Sequence, residues 1–272
     1  MKFSALLCLY IANDPVEVRE ALNSAITNQN MPPMELIVVY DGVVSGEIKT
    51  VIQQFKDTIP TKILEFKENK GHGAARAAGL LACSYEWVAI IDADDISLPN
   101  RFEILVREIK KNPQLAVIGG GLTEFSDTEE GRKTGVNRQY PNTYNDICKY
   151  MQTRSPIAQP TCMLRREAIL DVGNYLTWYN NEDYYLWIRL VTAGYKLQNV
   201  PESLLLFRTS PDSYLRRGGF KYWLNEVRLQ LYSLKQGTTS FSKFLSGVLI
   251  RFVIQVLMPN RLRAYIYKLF LR

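Results

Sequence analysis

Apolar positions in the first hundred residues come in short runs separated by helical repeats. Phe3 to Leu9 and Glu35 to Tyr40 are compact apolar stretches of strand length, as are Lys62 to Phe66 and Trp87 to Ile91. Between them the spacing changes to three and four. Asn13-Asp14-Pro15 starts a helix with Val18, Ala21, Leu22, Ala25 and Ile26 on one face. Ile48, Val51, Ile52 and Phe55 mark a second helix, Gly73 to Cys83 a third, and Leu98-Pro99 opens a fourth to about Lys111. This βαβα order predicts an α/β fold, a mostly parallel sheet with helices on both faces. Ligands in such folds bind beyond the carboxyl ends of the strands. Asp41, Gly71 and Asp92 to Asp95 all fall at such ends.

The pattern weakens afterwards. Val117 to Phe125 and Gly135 to Tyr140 read as strands around a polar loop, Ser126 to Lys133. Pro156 to Leu164 reads as extended, followed by a short helix from Arg165. Tyr184, Trp187, Ile188 and Val191 have helical spacing, which puts Glu182 and Asp183 at a helix amino terminus and ends at Gly194. Near the end, Phe244, Leu245, Val248, Leu249, Phe252, Val253, Val256 and Leu257 form a broad apolar face. Lys243, Gly247, Arg251 and Gln255 make a narrow polar strip beside it, and Pro259 breaks the helix. A second segment places Leu262, Tyr265, Ile266, Leu269 and Phe270 together, with Arg261, Lys268 and Arg272 alongside. The first helix is too short to span about 30 Å of hydrocarbon and carries Arg251 in its middle. Both segments fit helices lying in a membrane interface; packing on the rest of the chain or on a partner is the other reading.

Composition narrows the class. The chain has 272 residues, 47% hydrophobic and 22% charged, enough for one large globular domain with an appendage. Cys8, Cys83, Cys148 and Cys162 are scattered without a CxxC pair, which suits reduced thiols better than a disulfide frame or zinc site. Met1-Lys2 leads straight into a strand, so no signal segment is expected. The net charge of +6 is uneven: from Tyr214 onward eleven Lys/Arg face one acid, Glu226, a local +10 that leaves −4 on the preceding residues. A basic tail suits an anionic surface. No stacking motif with interleaved basic residues accompanies it, so nucleic acid is not an expected partner.

The acid cluster Asp92-Ala93-Asp94-Asp95 carries the chemistry. Carboxylates this close repel one another and resist desolvation, and a cation relieves both costs. Mg²⁺ or Mn²⁺ binds through one or two carboxylates plus substrate phosphates, so the cluster suggests a metal-dependent phosphate-ester site. A solvated turn capping the next helix is the plainer alternative, and helix capping is likewise the plainer role for Glu182 and Asp183. Gly71-His72-Gly73-Ala74-Ala75-Arg76, with Asp92 further on at a strand end, mimics a dinucleotide fingerprint. Arg76 in the third glycine position, and the motif's place after the third strand, argue against a dehydrogenase and for a diphosphate.

Together these segments resemble the family 2 glycosyltransferases with a GT-A fold. The resemblance covers about Phe3 to Arg217 and rests on Ser4 to Tyr10, Glu35 to Gly42, Asn69-Lys70-Gly71 with Ala75-Arg76, Asp92 to Asp95 through Pro99-Asn100-Arg101, and Glu182-Asp183. Glu182 to Trp187, Arg216 to Gly219 and Pro259 to Arg263 are similar to the subgroup that builds bacterial exopolysaccharide and O-antigen repeat units. The resemblance implies a Rossmann-like catalytic domain over residues 1–213, with a nucleotide-sugar half to about 112 and an acceptor half from 113, and a basic helical region over 214–272. It implies an inverting, Mn²⁺- or Mg²⁺-dependent hexosyltransferase that uses UDP-Gal or UDP-Glc. The acceptor would be a polyprenyl-pyrophosphate-linked saccharide, met at the inner face of the bacterial cytoplasmic membrane by a cytoplasmic, peripheral enzyme. Asp183 would be the base. Asp94 would ligate the metal with help from Asp92, and Tyr10, Asp41, Asn69, Gly71, Arg76 and Asp92 would line the nucleotide site, with Asp41 on the uracil. Two departures stand out: Tyr40 where the family has an acid, and Gln159 where relatives have His. His72, the one histidine, fits a nucleotide neighbour better than a catalyst. A sugar nucleotidyltransferase would want a glycine-rich loop at Tyr10 to Pro15, which holds no glycine. A non-catalytic, membrane-associated sugar- or nucleic-acid-binding module is the remaining alternative.

Overall fold

The computed structural model describes residues 1–128, 130–178, 181–209, 218–259 and 262–263. Nine strands form one sheet: β1 Ser4–Leu9, β2 Glu35–Tyr40, β3 Thr61–Glu65, β4 Trp87–Ile91, β5 Ile96–Ser97, β6 Leu115–Thr128, β7 Gly131–Arg138, β8 Met163–Arg165 and β9 Lys196–Arg208. The order is β3-β2-β1-β4-β8-β6-β9-β5, with β7 paired to β6 outside that path. The first four strands in that order are parallel. The short β8 is antiparallel to both β4 and β6 and splices the parallel half to a mixed half.

The parallel half forms because its strands bury both faces. Phe3, just before β1, and Ala5, Leu7 and Leu9 of β1 share one face with Leu36, Val38 and Tyr40 of β2. They pack with Leu22 of α1 (Pro15–Leu22), Ile48 of α2 (Gly46–Phe55) and Phe102 of α4 (Arg101–Lys111). Leu6, Ile37, Val39, Val88 and Ile90 face the other way, against Leu80 of α3 (His72–Ala82) and Trp187 of α7 (Glu182–Thr192). This explains Tyr40. Its ring belongs to the first face, 2% exposed, while the next residue, Asp41, lies at the site.

Local chemistry sets the helix starts. Asp14 accepts from the amides of Val16 and Glu17 at 2.7 and 3.3 Å, with Pro15 in the first turn. Ser45 caps α2, and Thr143 caps α5 (Tyr144–Met151). The first helix ends at Leu22 and continues as one wider turn, Asn23–Thr27. Leu98-Pro99 precedes α4 rather than starting it.

Three expectations change. The polar stretch 126–133 is mostly strand, because β6 and β7 pair through Thr128 and Gly131 and only the turn is loop. Within 156–164 the chain makes a 3₁₀ turn, Gln159–Thr161, before β8, and the short helix α6 spans Arg166–Asp171. β9, α5 and the helix Phe220–Lys235, α8, are elements that periodicity does not predict.

The C-terminal region is not loosely appended. α8 buries Leu229 and Ser233, and Leu229 joins the core around Trp187. α9, Phe241–Phe252, runs on through a wider turn, Val253–Leu257, and lies outside α8. Its amphipathicity is inside out. The later part of the polar strip faces the protein, though Lys243 at its start is exposed: Gln255 is 3% exposed, and Arg251 bonds Glu226 of α8 at 3.2 Å and the Thr153 carbonyl. Of the apolar face, Phe252 packs its ring on Trp223 of α8, whose indole N–H donates to the Val248 carbonyl, whereas Leu245, Leu249, Val253 and Leu257 are 46–63% exposed. No helix among the described residues is long and apolar enough to cross a membrane. Most of the second amphipathic segment, and the expected boundary at 213/214, lie outside the described residues.

Candidate active site

The carboxyl ends of β1, β2 and β4 open on one side of the sheet. Asp41, just past β2, is 5% exposed and accepts from the Lys70 and Gly71 amides at 2.6 and 2.9 Å. Asn69 donates to the Asp41 carbonyl at 3.2 Å. The contact needs Gly42: its φ is +86°, and a Cβ there would lie 2.8 Å from the Asn69 nitrogen. Asp41 thus first braces the 69–71 loop, though each oxygen retains a second lone pair. A cavity of about 180 Å³ opens here, lined by Tyr10, Asp41, Asn69, Gly71 and His72. His72 is exposed and meets the Tyr10 ring edge-on at 6.0 Å.

A cleft of about 680 Å³ adjoins it and shares Asn69, Gly71 and His72. At its base lies Arg76, buried on α3. Its guanidinium donates to Asp92 at 3.1 Å, to Glu182 at 2.6 Å and to Gln159 at 3.3 Å. Gln159 passes its amide to the Tyr175 hydroxyl at 2.6 Å. The side chain thereby clamps the end of β4, the start of α7 and the 3₁₀ turn together. Asp183 lines the same cleft. Burial first, and the neighbouring Glu182 charge second, push its carboxyl up from about 4 to about 7.

The three clustered aspartates divide. Asp92 pairs with Arg76 and is 29% exposed. Asp94 is exposed and lines neither the cleft nor the smaller cavity; desolvation first, and repulsion from Asp92 second, raise its carboxyl to about 6. Asp95 is buried, accepts from the Arg208 amide at 2.9 Å, and keeps its second oxygen without a partner among the described residues. Burial raises it well above the usual range, with Asp94 and Asp92 adding to the effect. Arg101 lies beneath the turn, donating to the Ile90 carbonyl at 2.7 Å and to Ser97 at 2.9 Å.

No group of three His, Cys, Asp or Glu side chains poised for a metal occurs among the described residues. The donor set nevertheless fits a hard cation: Asp92 and Asp94 present oxygen ligands, their repulsion is incompletely offset, and one buried Asp95 oxygen is unsatisfied. Two carboxylates are what Mg²⁺-type sites take when phosphate oxygens complete the shell.

Trp178 is a site residue that the sequence pattern does not reveal. It lines the cleft, stacks on Tyr185 with ring centres 4.3 Å apart, and has no partner for its buried N–H among the described residues. Gly73 lets this loop close on α3, since a Cβ there would lie 2.8 Å from the Leu176 carbonyl oxygen. A tryptophan just before the acid pair is the one available signal.

Comparison with known proteins gives the family and the fold. The family described as Glycosyl transferase family 2 matches residues 5–173. An Escherichia coli UDP-Gal:α-D-GlcNAc-diphosphoundecaprenol β-1,3-galactosyltransferase is 33% identical over 271 residues, covering 100% of this chain and 97% of that protein. Staphylococcus aureus TarS 1–349 in complex with UDP-GlcNAc superposes with a TM-score of 0.70 at 15% identity, covering 100% of this chain and 76% of that one. The Pyrobaculum calidifontis mannosyltransferase PcManGT in complex with GDP-Man and Mn²⁺ gives 0.64 at 13% identity, covering 97% and 72%.

The Arg76 clamp makes a prediction. Arg76→Met should destabilise the protein by roughly 2–4 kcal/mol at pH 8, toward the lower end for a broken buried pair because Asp92 is partly solvated. Urea unfolding of the wild type and the variant measures it; an unchanged midpoint would show that the clamp contributes nothing net to stability.

Proposed function

Because the chain belongs to glycosyl transferase family 2, and is a glycosyltransferase, we propose that it moves a hexose from UDP-Gal or UDP-Glc to a saccharide carried on a polyprenyl diphosphate, in O-antigen or exopolysaccharide assembly. The observation that carries this reading is one cleft lined by both Asp92–Arg76 and Asp183, an anion-handling end and a proton-accepting end. The relative active on a diphosphoundecaprenol-linked GlcNAc, similar over the whole chain, supports the acceptor class. The TarS complex with UDP-GlcNAc supports a UDP-sugar.

In this reading the uridine occupies the smaller cavity beside Tyr10, Asp41 and Asn69, and the 69–71 loop and the start of α3 face the diphosphate. Asp94 and Asp92 would hold Mn²⁺ or Mg²⁺, which supplies positive charge against the diphosphate. The acceptor hydroxyl oxygen forms a bond to the anomeric carbon as the bond to the UDP phosphate oxygen breaks. Asp183 takes the hydroxyl proton, UDP leaves with the bonding electron pair, and one displacement inverts the configuration. A base near pKa 7 combines a useful deprotonated fraction at neutral pH with real proton affinity. Trp178 offers a flat wall for a sugar ring. The exposed apolar side of α9, beside the basic C-terminal region, would rest on an anionic membrane surface at the inner face of the cytoplasmic membrane.

Three outcomes test this. Asp183→Asn should lower kcat by roughly 10²–10⁴ with donor affinity little changed. In the wild type, kcat/KM should rise with pH and level off above about 7, because only the carboxylate accepts the proton. The same raised pKa favours the folded state at low pH, a contribution lost as pH rises through about 7. A flat profile, with donor binding lost in step with turnover, would move the base elsewhere. Asp94→Ala should abolish metal-dependent UDP-sugar binding, measured by calorimetry with and without Mn²⁺, while the thermal midpoint holds or rises as repulsion is relieved. Binding that is indifferent to EDTA and to the substitution would remove the metal. Leu249→Glu with Val253→Glu should release the protein from anionic vesicles in flotation without changing UDP-sugar affinity; a doubly substituted protein that still floats would reject α9 as the contact.

A further inference from the structure

A second opening, of about 340 Å³, lies on the other side of the first turn of α7 from the catalytic cleft. Its walls are the turn at Thr153–Ser155, Asn181 just before α7 and Tyr184 on it, Tyr222 and Glu226 of α8, and one side of α9. Asn181 lines this opening and Asp183, two residues on, lines the cleft, so one helical turn is the wall between them. Asn181 does not cap its own helix; it donates instead to Glu226 at 3.0 Å. The other Glu226 oxygen accepts from Arg251 at 3.2 Å, so this acid is already engaged on both sides. Arg251 engages Glu226, Gly247 and Thr153, which leaves two of its five N–H groups without a partner among the described residues. Arg154 is exposed, its guanidinium 5.4 Å from the centre of the Tyr150 ring, with no carboxylate partner among the described residues. Two guanidiniums against one committed carboxylate leave the walls net positive. Ile250 and Ile254 line the same opening and lead onto the exposed Leu249, Val253 and Leu257.

An anionic group next to an apolar chain is the ligand that such a surface complements. On the reading that the acceptor is a lipid-linked saccharide, we propose that this opening seats the diphosphate-to-lipid end of the acceptor. Arg154 is the anion contact, Arg251 the second, and the lipid chain runs out beside Ile250 and Ile254 onto the outward face of α9. The acceptor sugar then crosses the first turn of α7 to present its hydroxyl to Asp183. A guanidinium fork matches paired phosphate oxygens, and the charge enters from the side away from Asp92 and Asp94.

The test uses the full chain, UDP-Gal or UDP-Glc, and two synthetic acceptors with the same long alkyl chain: a HexNAc joined through an α-diphosphate, and the same HexNAc joined directly. Arg154→Ala should raise KM for the diphosphate acceptor by roughly tenfold or more, the worth of one charge-assisted hydrogen bond. The KM of the direct glycoside, the donor KM and kcat should stay put, and Arg154→Lys should recover part of the loss. An unchanged KM for the diphosphate acceptor, or an equal rise for both acceptors, would overturn the assignment while leaving the proposed reaction intact. Wild-type protein that uses neither acceptor would overturn both.

Discussion

The buried guanidinium of Arg76 is the interaction on which the site depends. A charge withdrawn from water is tolerable only when paired and hydrogen-bonded. Arg76 meets that condition with Asp92 from the end of β4, Glu182 from the start of α7, and Gln159 from the turn before β8. Arginine presents its donors in a rigid plane, so the three acceptors cannot be placed independently. The spacing between the acid at the donor end and the helix bearing the proposed base is therefore set by one side chain. The pairing also divides labour between adjacent acids. Glu182 spends its charge on Arg76, while Asp183, next to that charge and desolvated, stays poised near neutrality.

The parts legible from sequence are those where one local cause decides. Strands buried on both faces show as apolar runs, and Asp14-Pro15 and Ser45 start helices by hydrogen bonds within three residues. Hence the parallel half, and the acids at its strand ends, follow from the pattern of the chain alone. β9 is hidden because Pro201-Glu202-Ser203 interrupts its pattern where its ladder with β6 shifts register. The first half of β7, residues 131–134, is hidden because its side chains are exposed: polarity reads as loop, yet backbone pairing with β6 makes it strand. α8 turns Glu226, Gln230 and Ser233 inward, which defeats a reading by apolar stripe. The partners of Arg76 lie 16, 83 and 106 positions away in the chain, a convergence that periodicity cannot report. For Asp92 to Asp95 the sequence shows three equivalent acids; burial makes one an ion-pair partner, one an exposed ligand candidate and one a brace for β9. The dinucleotide mimic is resolved the same way, since the arginine in its third glycine position pairs with the very acid that stands in for a ribose ligand.

The inverted polarity of α9 ties the charge asymmetry of the chain to this site. An amphipathic helix on a globular domain normally turns its apolar face inward. Here Arg251 and Gln255 face inward because the underlying surface offers Glu226 and a free carbonyl, and the apolar side is left outside. On the proposed reading, a lipid surface is what this face meets. Asp92 lines the cleft on one side of the first turn of α7, and Arg154 and Arg251 line the opening on the other. A reaction that joins two diphosphate-bearing substrates must bring their sugars together while keeping their anionic ends apart. On the proposed assignments, carboxylates with a cation receive one diphosphate and guanidiniums with donors to spare receive the other. The turn between them carries the carboxylate that takes the proton.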